Sequence, residues 1–267
     1  MPRIQANGIE LYYESQGDGP PLLLIMGLGC SARQWDWMRE ILAAAFHVIT
    51  FDNRGVGRSD KPDHEYTSEL LADDAVALLD ALEVERAHVM GASMGGMVAQ
   101  QVALRHPHRV HKLVLGCTMP AFGFVAPTDE TIGLMAAAGS AEVPPEVSAA
   151  GMVDIFLSPH FRERDPATTD ALRRMMEAEK REQGPDAFMH QFSAMASHDA
   201  TADLERISSP TLVMIGDGDI VVPPPNAEHL AKVIPDAQYS LLEGVWHAFW
   251  VEAPGESSER VRAFLLD

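Results

Sequence analysis

Short, continuous apolar runs alternate along this chain with longer stretches of helical periodicity, and that alternation most constrains its fold. The apolar runs are PLLLIMG at 21–27, HVITFD at 47–52, AHVMGAS at 87–93, HKLVLGC at 111–117 and PTLVMIGDGD at 210–219. Helical patterns lie between them, for example at 68–84 and 94–107. Strands that are apolar throughout are buried on both faces, as in parallel sheets covered by helices. We therefore predict an α/β fold with a mostly parallel sheet and helices on both faces.

Two segments break this alternation. Near the N-terminus, Asn7 and Gly8 separate two short strand-like pieces, which predicts a hairpin at an antiparallel edge of the sheet. From 119 to 206 the sequence has helical patterns but no convincing strand. We therefore predict a core formed by 1–118 and 207–267, interrupted by a helical insertion at 119–206.

Charge and cysteine content limit the partners and the compartment. The chain has 20 lysines and arginines against 39 aspartates and glutamates, a formal net charge of −19. Nucleic acid and anionic membranes would repel such a protein, so we predict neither as a partner.

Cys30 and Cys117 show no metal-ligand spacing, which favours buried free thiols in a reducing compartment. No apolar run approaches the ~18 residues of a membrane span, and we expect a cytoplasmic protein.

The sequence GASMG at 91–95 has the form GxSxG and lies where an apolar strand passes into a helical pattern. A nucleophile on such a turn adopts a strained backbone conformation, so the positions two before and two after it must lack bulk. Gly91 and Gly95 meet that need. We therefore predict that Ser93 is a catalytic nucleophile.

The chain resembles the α/β-hydrolase family over essentially its whole length. The segments MGLG, DNRGVGRSD, GASMGG, GDGD and GVWH occur in that family's order and spacing. The resemblance implies an eight-stranded, mostly parallel sheet with a helical cap inserted after the sixth strand. We call the insertion at 119–206 the cap. In DNRGVGRSD, we expect Asp52, Arg54 and Arg58 to make structural hydrogen bonds.

The resemblance also implies a catalytic triad. A serine hydroxyl needs a base, and His247, which follows the last predicted strand, stands where the family has its triad histidine. GDGDIVVP offers two carboxylates for the third position, and the family spacing from Gly216 favours Asp219 over Asp217. The predicted catalytic residues are Ser93, Asp219 and His247. Neither a cofactor nor a metal ion is expected.

An oxyanion hole is the second requirement of acyl transfer. The resemblance implies that it is formed by the backbone amides of Met94, directly after the nucleophile, and of Leu28, in the loop after the PLLLI strand. Met26 stands where family members often have a histidine that buttresses this loop.

The cap suggests an apolar substrate. It contains seven of the chain's 14 methionines, which suits an adaptable hydrophobic pocket. As substrate contacts we predict Gly27, Trp35, Trp246 and Phe122. We also considered His198 in the cap, as either a substrate contact or a surface residue.

Several functions remain open on these residues. A carboxylic-ester hydrolase with a small-molecule substrate is the first interpretation, and an enol-lactonase, another lactonase or a methyl-esterase would use the same chemistry. Haloperoxidases without a cofactor, carbon–carbon bond hydrolases and proline iminopeptidase share the serine triad. A non-catalytic ligand receptor on the same fold is the alternative from another class. A homodimer is compatible with the sequence.

Overall fold

A computed structural model describes residues 2–140 and 142–267 of the chain. Its strands are β1 (Arg3–Ala6), β2 (Ile9–Gln16), β3 (Pro21–Ile25), β4 (His47–Phe51), β5 (Ala87–Ala92), β6 (Val110–Gly116), β7 (Thr211–Gly216) and β8 (Ala237–Leu242). Its helices are α1 (Asp36–Ala43), α2 (Ser68–Ala81), α3 (Met94–Arg105), α4 (Asp129–Gly139), α5 (Pro145–Phe156), α6 (Pro159–Arg164), α7 (Pro166–Gln183), α8 (Pro185–Ala196), α9 (Pro225–Val233), α10 (Phe249–Glu252) and α11 (Pro254–Leu266). Short 3₁₀ turns occupy Ala32–Trp35, Pro107–Arg109 and Leu204–Arg206.

The described strands form one eight-stranded sheet in the order β1-β2-β4-β3-β5-β6-β7-β8. β1, β2 and β4 pair antiparallel, and every pairing from β4 through β3 to β8 is parallel. Every residue of β5 and β7 is buried, as expected for central strands covered on both faces. The prediction of a mostly parallel α/β sheet is confirmed.

The N-terminal hairpin is also confirmed. Asn7 and Gly8 join β1 to β2 with φ values of 48° and 78°. Two consecutive positive φ values define the type I′ turn, which matches the twist of the strands it joins. The hairpin thereby adds the antiparallel edge.

Helices α4 to α8 lie between β6 and β7, where the helical insertion is predicted. The segments that enter and leave the insertion are hydrogen-bonded to each other. Ala121 forms a β-bridge with Asp199, and the amide of Ala200 donates to the carbonyl of Pro120 at 2.8 Å. The residue bounds 119–206 of the cap stay a prediction.

The loop after β4 has the structural role expected of it. Asp52 Oδ2 accepts from the amide of Arg58, and its Oδ1 accepts from the amide of Ala32, each at 2.8 Å. Arg54 donates from Nε and Nη2 to both carboxylate oxygens of Asp74, each at 2.7 Å. Both partners of this pair are buried, so each satisfies the charge of the other.

Within residues 2–140 and 142–267, no helix is both long enough and apolar enough to cross a lipid bilayer.

Candidate active site

Ser93 lies on the turn between β5 and α3 with φ 56° and ψ −125°. A serine rarely adopts such angles, and they persist only where the surroundings impose them. A Cβ on Gly91 would lie 2.1 Å from the carbonyl oxygen of Gly95, and one on Gly95 would lie 2.1 Å from that of Ile25. Only glycine fits at both positions, which lets strand and helix approach closely enough to hold Ser93 on the turn.

His247 and Asp219 follow β8 and β7 and meet beside this turn. His247 Nδ1 lies 2.8 Å from Asp219 Oδ2. The other oxygen, Oδ1, accepts from the amides of Val221 at 2.9 Å and Val222 at 2.8 Å. Because a carboxylate only accepts, this arrangement assigns the proton to Nδ1 and leaves Nε2 free to accept another.

The electrostatics of this pair favour a basic imidazole. Burial acts to lower the pKa of His247, but the adjacent Asp219 carboxylate outweighs it and raises the pKa above its usual 6.5. Both side chains are completely buried. His247 is therefore a stronger base than a histidine in water.

Ser93 and His247 line one cavity, but the described contacts include no hydrogen bond between the Ser93 hydroxyl and the imidazole. Cys117 Sγ lies 4.0 Å from His247 Nε2. Catalytic hydrogen bonds often tighten only when substrate is bound.

Cys117 is completely buried and is not among the residues lining the cavity, and burial raises its pKa. Its sulfur therefore stays a thiol, which is a poor nucleophile.

The same residues raise the question of a metal. Cys117, Asp219 and His247 present potential ligand atoms within 4.8 Å of one another. However, both oxygens of Asp219 are already engaged, by His247 and by two backbone amides. We assign this trio to hydrogen bonding rather than to metal ligation.

Two loops place backbone amides near Ser93. Met94 is the first residue of α3, where a helical N–H has no partner within the helix and the helix dipole is positive. Across from it, Gly27 approaches so closely that a Cβ there would lie 3.1 Å from Ser93 Cβ. Gly27 and Leu28 both line the cavity.

The cavity has a volume of about 320 Å³ and lies between the core and the cap. Four of the seven cap methionines line it, namely Met135, Met152, Met176 and Met195. Phe156 and Trp250 add aromatic walls, and the Phe156 ring lies 4.8 Å from the imidazole of His247, centroid to centroid. The volume suits a small organic ligand, and most of the wall is apolar.

Of the four predicted substrate contacts, only Gly27 is on the cavity wall; the structure places the other three elsewhere. Trp35 is completely buried behind the wall and packs on Trp250, with ring centroids 6.0 Å apart. Trp246 lies over Gly218, where a Cβ would be 2.3 Å from its ring. Phe122 is 44% exposed and packs edge-on against Phe192.

His198 is neither at the surface nor on the cavity wall. It is 2% exposed, and its Nδ1 lies 3.0 Å from Ser68 Oγ. The two roles considered from the sequence both fail, because this histidine packs between the cap and α2.

Glu179 is a charged residue of the cavity wall that the sequence analysis did not identify. Glu179 lies among other charged residues of α7, a pattern typical of a solvated helix face, yet it is 1% exposed and lines the cavity. Burial raises its pKa to about 7, although hydrogen bonds from Ser31 and Gln34 oppose the shift. The buried residues of α7 are Leu172, Met176, Glu179 and Gln183, a spacing that follows one helix face. That spacing in the sequence could have indicated that Glu179 is buried.

The fold and this geometry agree with a family model for the alpha/beta hydrolase fold, which matches residues 20–254. The chain belongs to the α/β-hydrolase family. This α/β-hydrolase is 31% identical to RutD of Caulobacter sp. (strain K31), which bears the name of a carbamate hydrolase, over 96% of this chain and 95% of that protein. It is 34% identical to the rhodomycin D methylesterase DauP of Streptomyces sp. (strain C5), over 92% and 91% of the two chains.

Among solved structures, this α/β-hydrolase is similar to the enol-lactonase from Burkholderia xenovorans LB400. The TM-score is 0.89 at 26% identity, and all of both chains is covered. The likeness therefore includes the cap as well as the sheet.

Proposed function

We propose that this protein is a serine hydrolase of carboxylic esters whose apolar part binds beneath the cap. One observation carries the proposal: Ser93, on its strained turn, and the imidazole of the Asp219–His247 pair line the same apolar cavity. A serine on a strained turn that shares a cavity with an oriented base is the arrangement that acyl transfer requires.

The reaction runs in two halves. Ser93 Oγ attacks the ester carbonyl carbon, and His247 Nε2 takes the hydroxyl proton. The amides of Leu28 and Met94 donate to the resulting oxyanion, and Asp219 stabilises the imidazolium. His247 then gives the proton to the departing alkoxide, which leaves an acyl-enzyme. A water molecule, deprotonated by His247, attacks that ester and releases the acid and Ser93.

Related substrates follow from the same step. A lactone is a cyclic ester, and a carbamate also has an acyl carbon with a leaving oxygen or nitrogen. The names of the three relatives cover a carbamate, a methyl ester and an enol lactone. We therefore include an enol-lactonase, another lactonase and a methyl-esterase within the proposal, and the mostly apolar cavity beneath the cap favours neutral, apolar substrate groups.

Hydrolysis of p-nitrophenyl esters from acetate to decanoate, by the wild type and by Ser93→Ala, tests the proposal. We expect many turnovers per active site in the wild type and none above the buffer rate in Ser93→Ala. The chain-length profile should fall once the acyl group exceeds the cavity. Both proteins must show the same thermal unfolding, so that loss of activity cannot reflect misfolding.

The alternatives give different results. Turnover of lactones or methyl esters but not of p-nitrophenyl esters would narrow the substrate class without changing the mechanism. A single slow turnover per protein molecule would instead support a receptor. Retained activity in Ser93→Ala would refute the proposal.

A further inference from the structure

The loop at 26–34 joins β3 to α1 and carries the amide of Leu28. Its core side is held by two side chains. Asn53 Nδ2 donates to the carbonyl of Met26 at 2.8 Å, and Asp52 Oδ1 accepts from the amide of Ala32 at 2.8 Å. Within the loop, the amide of Cys30 donates to the carbonyl of Gly27 at 3.2 Å. We call this segment the oxyanion loop.

The other side of the oxyanion loop is held by the cap. Glu179 Oε1, from α7, accepts from the amide and the hydroxyl of Ser31 at 2.9 and 2.6 Å. Its Oε2 accepts from Gln34 Nε2 at 2.9 Å. Gln191 Oε1, from α8, accepts from the amide of Gly29 at 3.0 Å.

Gln183, a third cap residue, orients the side chain of Gln191. Gln183 Nε2 donates to Gln191 Oε1 at 3.1 Å and to the carbonyl of Gly55 at 3.0 Å. Gln191 Nε2 in turn donates to the carbonyl of Arg54 at 2.7 Å. These donors point the amide oxygen of Gln191 at the oxyanion loop, because its nitrogen is engaged on the opposite side.

These contacts immobilise consecutive peptide groups of the oxyanion loop. The peptide that contains the Leu28 amide also contains the Gly27 carbonyl, which is fixed by Cys30. The next peptide contains the Gly29 amide, which is fixed by Gln191. A peptide group between two fixed neighbours cannot flip without breaking their hydrogen bonds. The cap contact at Gly29 therefore limits the orientation of the Leu28 amide.

The three polar cap side chains that hold the oxyanion loop are buried. Glu179, Gln183 and Gln191 are 1%, 5% and 0% exposed. Burying a carboxyl and two amides is costly unless each is hydrogen-bonded, and apolar side chains of the same size would pack at lower cost. Their partners are main-chain and side-chain groups of the oxyanion loop, main-chain carbonyls of the loop after β4, and, for Gln183 and Gln191, each other.

We propose that Glu179, Gln183 and Gln191 are positioning residues that hold the Leu28 amide in its oxyanion-binding orientation, so that the docked cap completes the oxyanion hole. This inference rests on the proposed serine-hydrolase function. The cap then does more than bind substrate, since the transition state is stabilised only when the cap is seated.

Gln191→Leu is the direct test, because leucine keeps the bulk and removes the acceptor for Gly29. Leu172→Ala is the control, because Leu172 is a completely buried apolar residue of α7, seven positions before Glu179. Removing an oxyanion donor costs about 10²–10³ in kcat, and misplacing a reacting group by ~1 Å costs about 10². We expect Gln191→Leu to lower kcat by about 10- to 100-fold with KM changed less than threefold. Leu172→Ala should lower the unfolding temperature but leave kcat within about twofold.

A fluorophosphonate provides a second readout, because its phosphoryl oxygen occupies the oxyanion hole when it reacts with serine. The rate of Ser93 labelling in Gln191→Leu should fall by a factor similar to that for kcat. Gln191→Glu, which keeps the acceptor, should recover part of both rates. If Gln191→Leu does not fold, Glu179→Gln takes its place in the same measurements.

The outcomes separate the two proposals. If the wild type neither turns over esters nor labels at Ser93, the serine-hydrolase proposal fails, and this inference fails with it. If the wild type labels at Ser93 and folded Gln191→Leu labels at the wild-type rate, only the inference is refuted. A change in KM with kcat intact would also refute it, because it would assign Gln191 to substrate binding.

Discussion

We predict that Asp219→Asn disables His247 as a base without disturbing the fold. Asp219 Oδ1 is held by the amides of Val221 and Val222 at 2.9 and 2.8 Å. In the variant only the amide oxygen can keep those two bonds, so the NH₂ group must face His247 Nδ1. Two donors cannot share a hydrogen bond, and His247 therefore changes tautomer. The proton moves to Nε2, the atom that must accept from Ser93.

The size of the loss follows from that tautomer. When the carboxylate of a serine triad becomes an amide, kcat falls by about 10⁴, which is about 5.4 kcal/mol at 1.36 kcal/mol per tenfold change. We expect a loss of this order in kcat for a p-nitrophenyl ester, measured well above KM. The unfolding temperature should change little, because the bonds to Val221 and Val222 remain.

Asp217→Asn is the matched control. Asp217 precedes Asp219 by two residues, is exposed, and accepts from the amide of Gly244 at 2.8 Å through Oδ1. Its amide variant keeps that acceptor, so kcat should stay within about threefold of the wild type. Equal losses in the two variants, or a larger loss in Asp217→Asn, would refute the assignment of the acid.

Three further predictions concern pH, the scaffold and the cavity wall. Because the neighbouring carboxylate raises the pKa of His247 and the base must be neutral, kcat/KM should fall as pH falls through a value above 6.5; an acid limb below 6.5 in a pH-rate profile would contradict this. Arg54→Met leaves the buried Asp74 carboxylate unpaired and should lower the free energy of unfolding by about 3–5 kcal/mol in urea titration, whereas a loss under about 1 kcal/mol would mean that the pair contributes little. Phe156→Ala should raise KM for apolar esters at least tenfold while the exposed Phe122→Ala leaves KM unchanged in steady-state assays, and equal effects would show that the substrate extends outside the cavity.

The core fold could be predicted because its information is local. A fully apolar run such as β5 must be buried on both faces, and the pair Asn7–Gly8 specifies a two-residue turn by its own backbone preferences. Each signal lies within a few residues of the element it forms. The family order of motifs then supplied the strand count and the position of the cap.

The cavity wall could not be predicted in the same way, because it depends on contacts between distant segments. Trp35 and Trp250 are 215 positions apart, and only the packed structure shows that Trp250 faces the cavity while Trp35 lies behind it. Proximity in sequence to His247 also misled the assignment of Trp246, whose ring lies over Gly218. A side chain next to a catalytic residue in sequence can point away from it.

Buried polar residues of the cap were the least predictable feature. Glu179 lies in a run of charged residues typical of a solvent-exposed helix face. Its hydrogen-bond partners Ser31 and Gln34 are almost 150 residues earlier in the sequence. The helical spacing of Leu172, Met176, Glu179 and Gln183 marks a buried face, but nothing local indicates which polar groups that face meets.

The central claim is that Ser93 forms the acyl-enzyme, and trapping that intermediate tests it most directly. The protein is mixed with p-nitrophenyl acetate, quenched in acid within the first turnover, digested and analysed by mass spectrometry. The account predicts one acetyl group on the peptide that contains Ser93, and none in Ser93→Ala. An acetyl group on Cys117 or His247 instead, or steady turnover with no acyl group on Ser93, would contradict it.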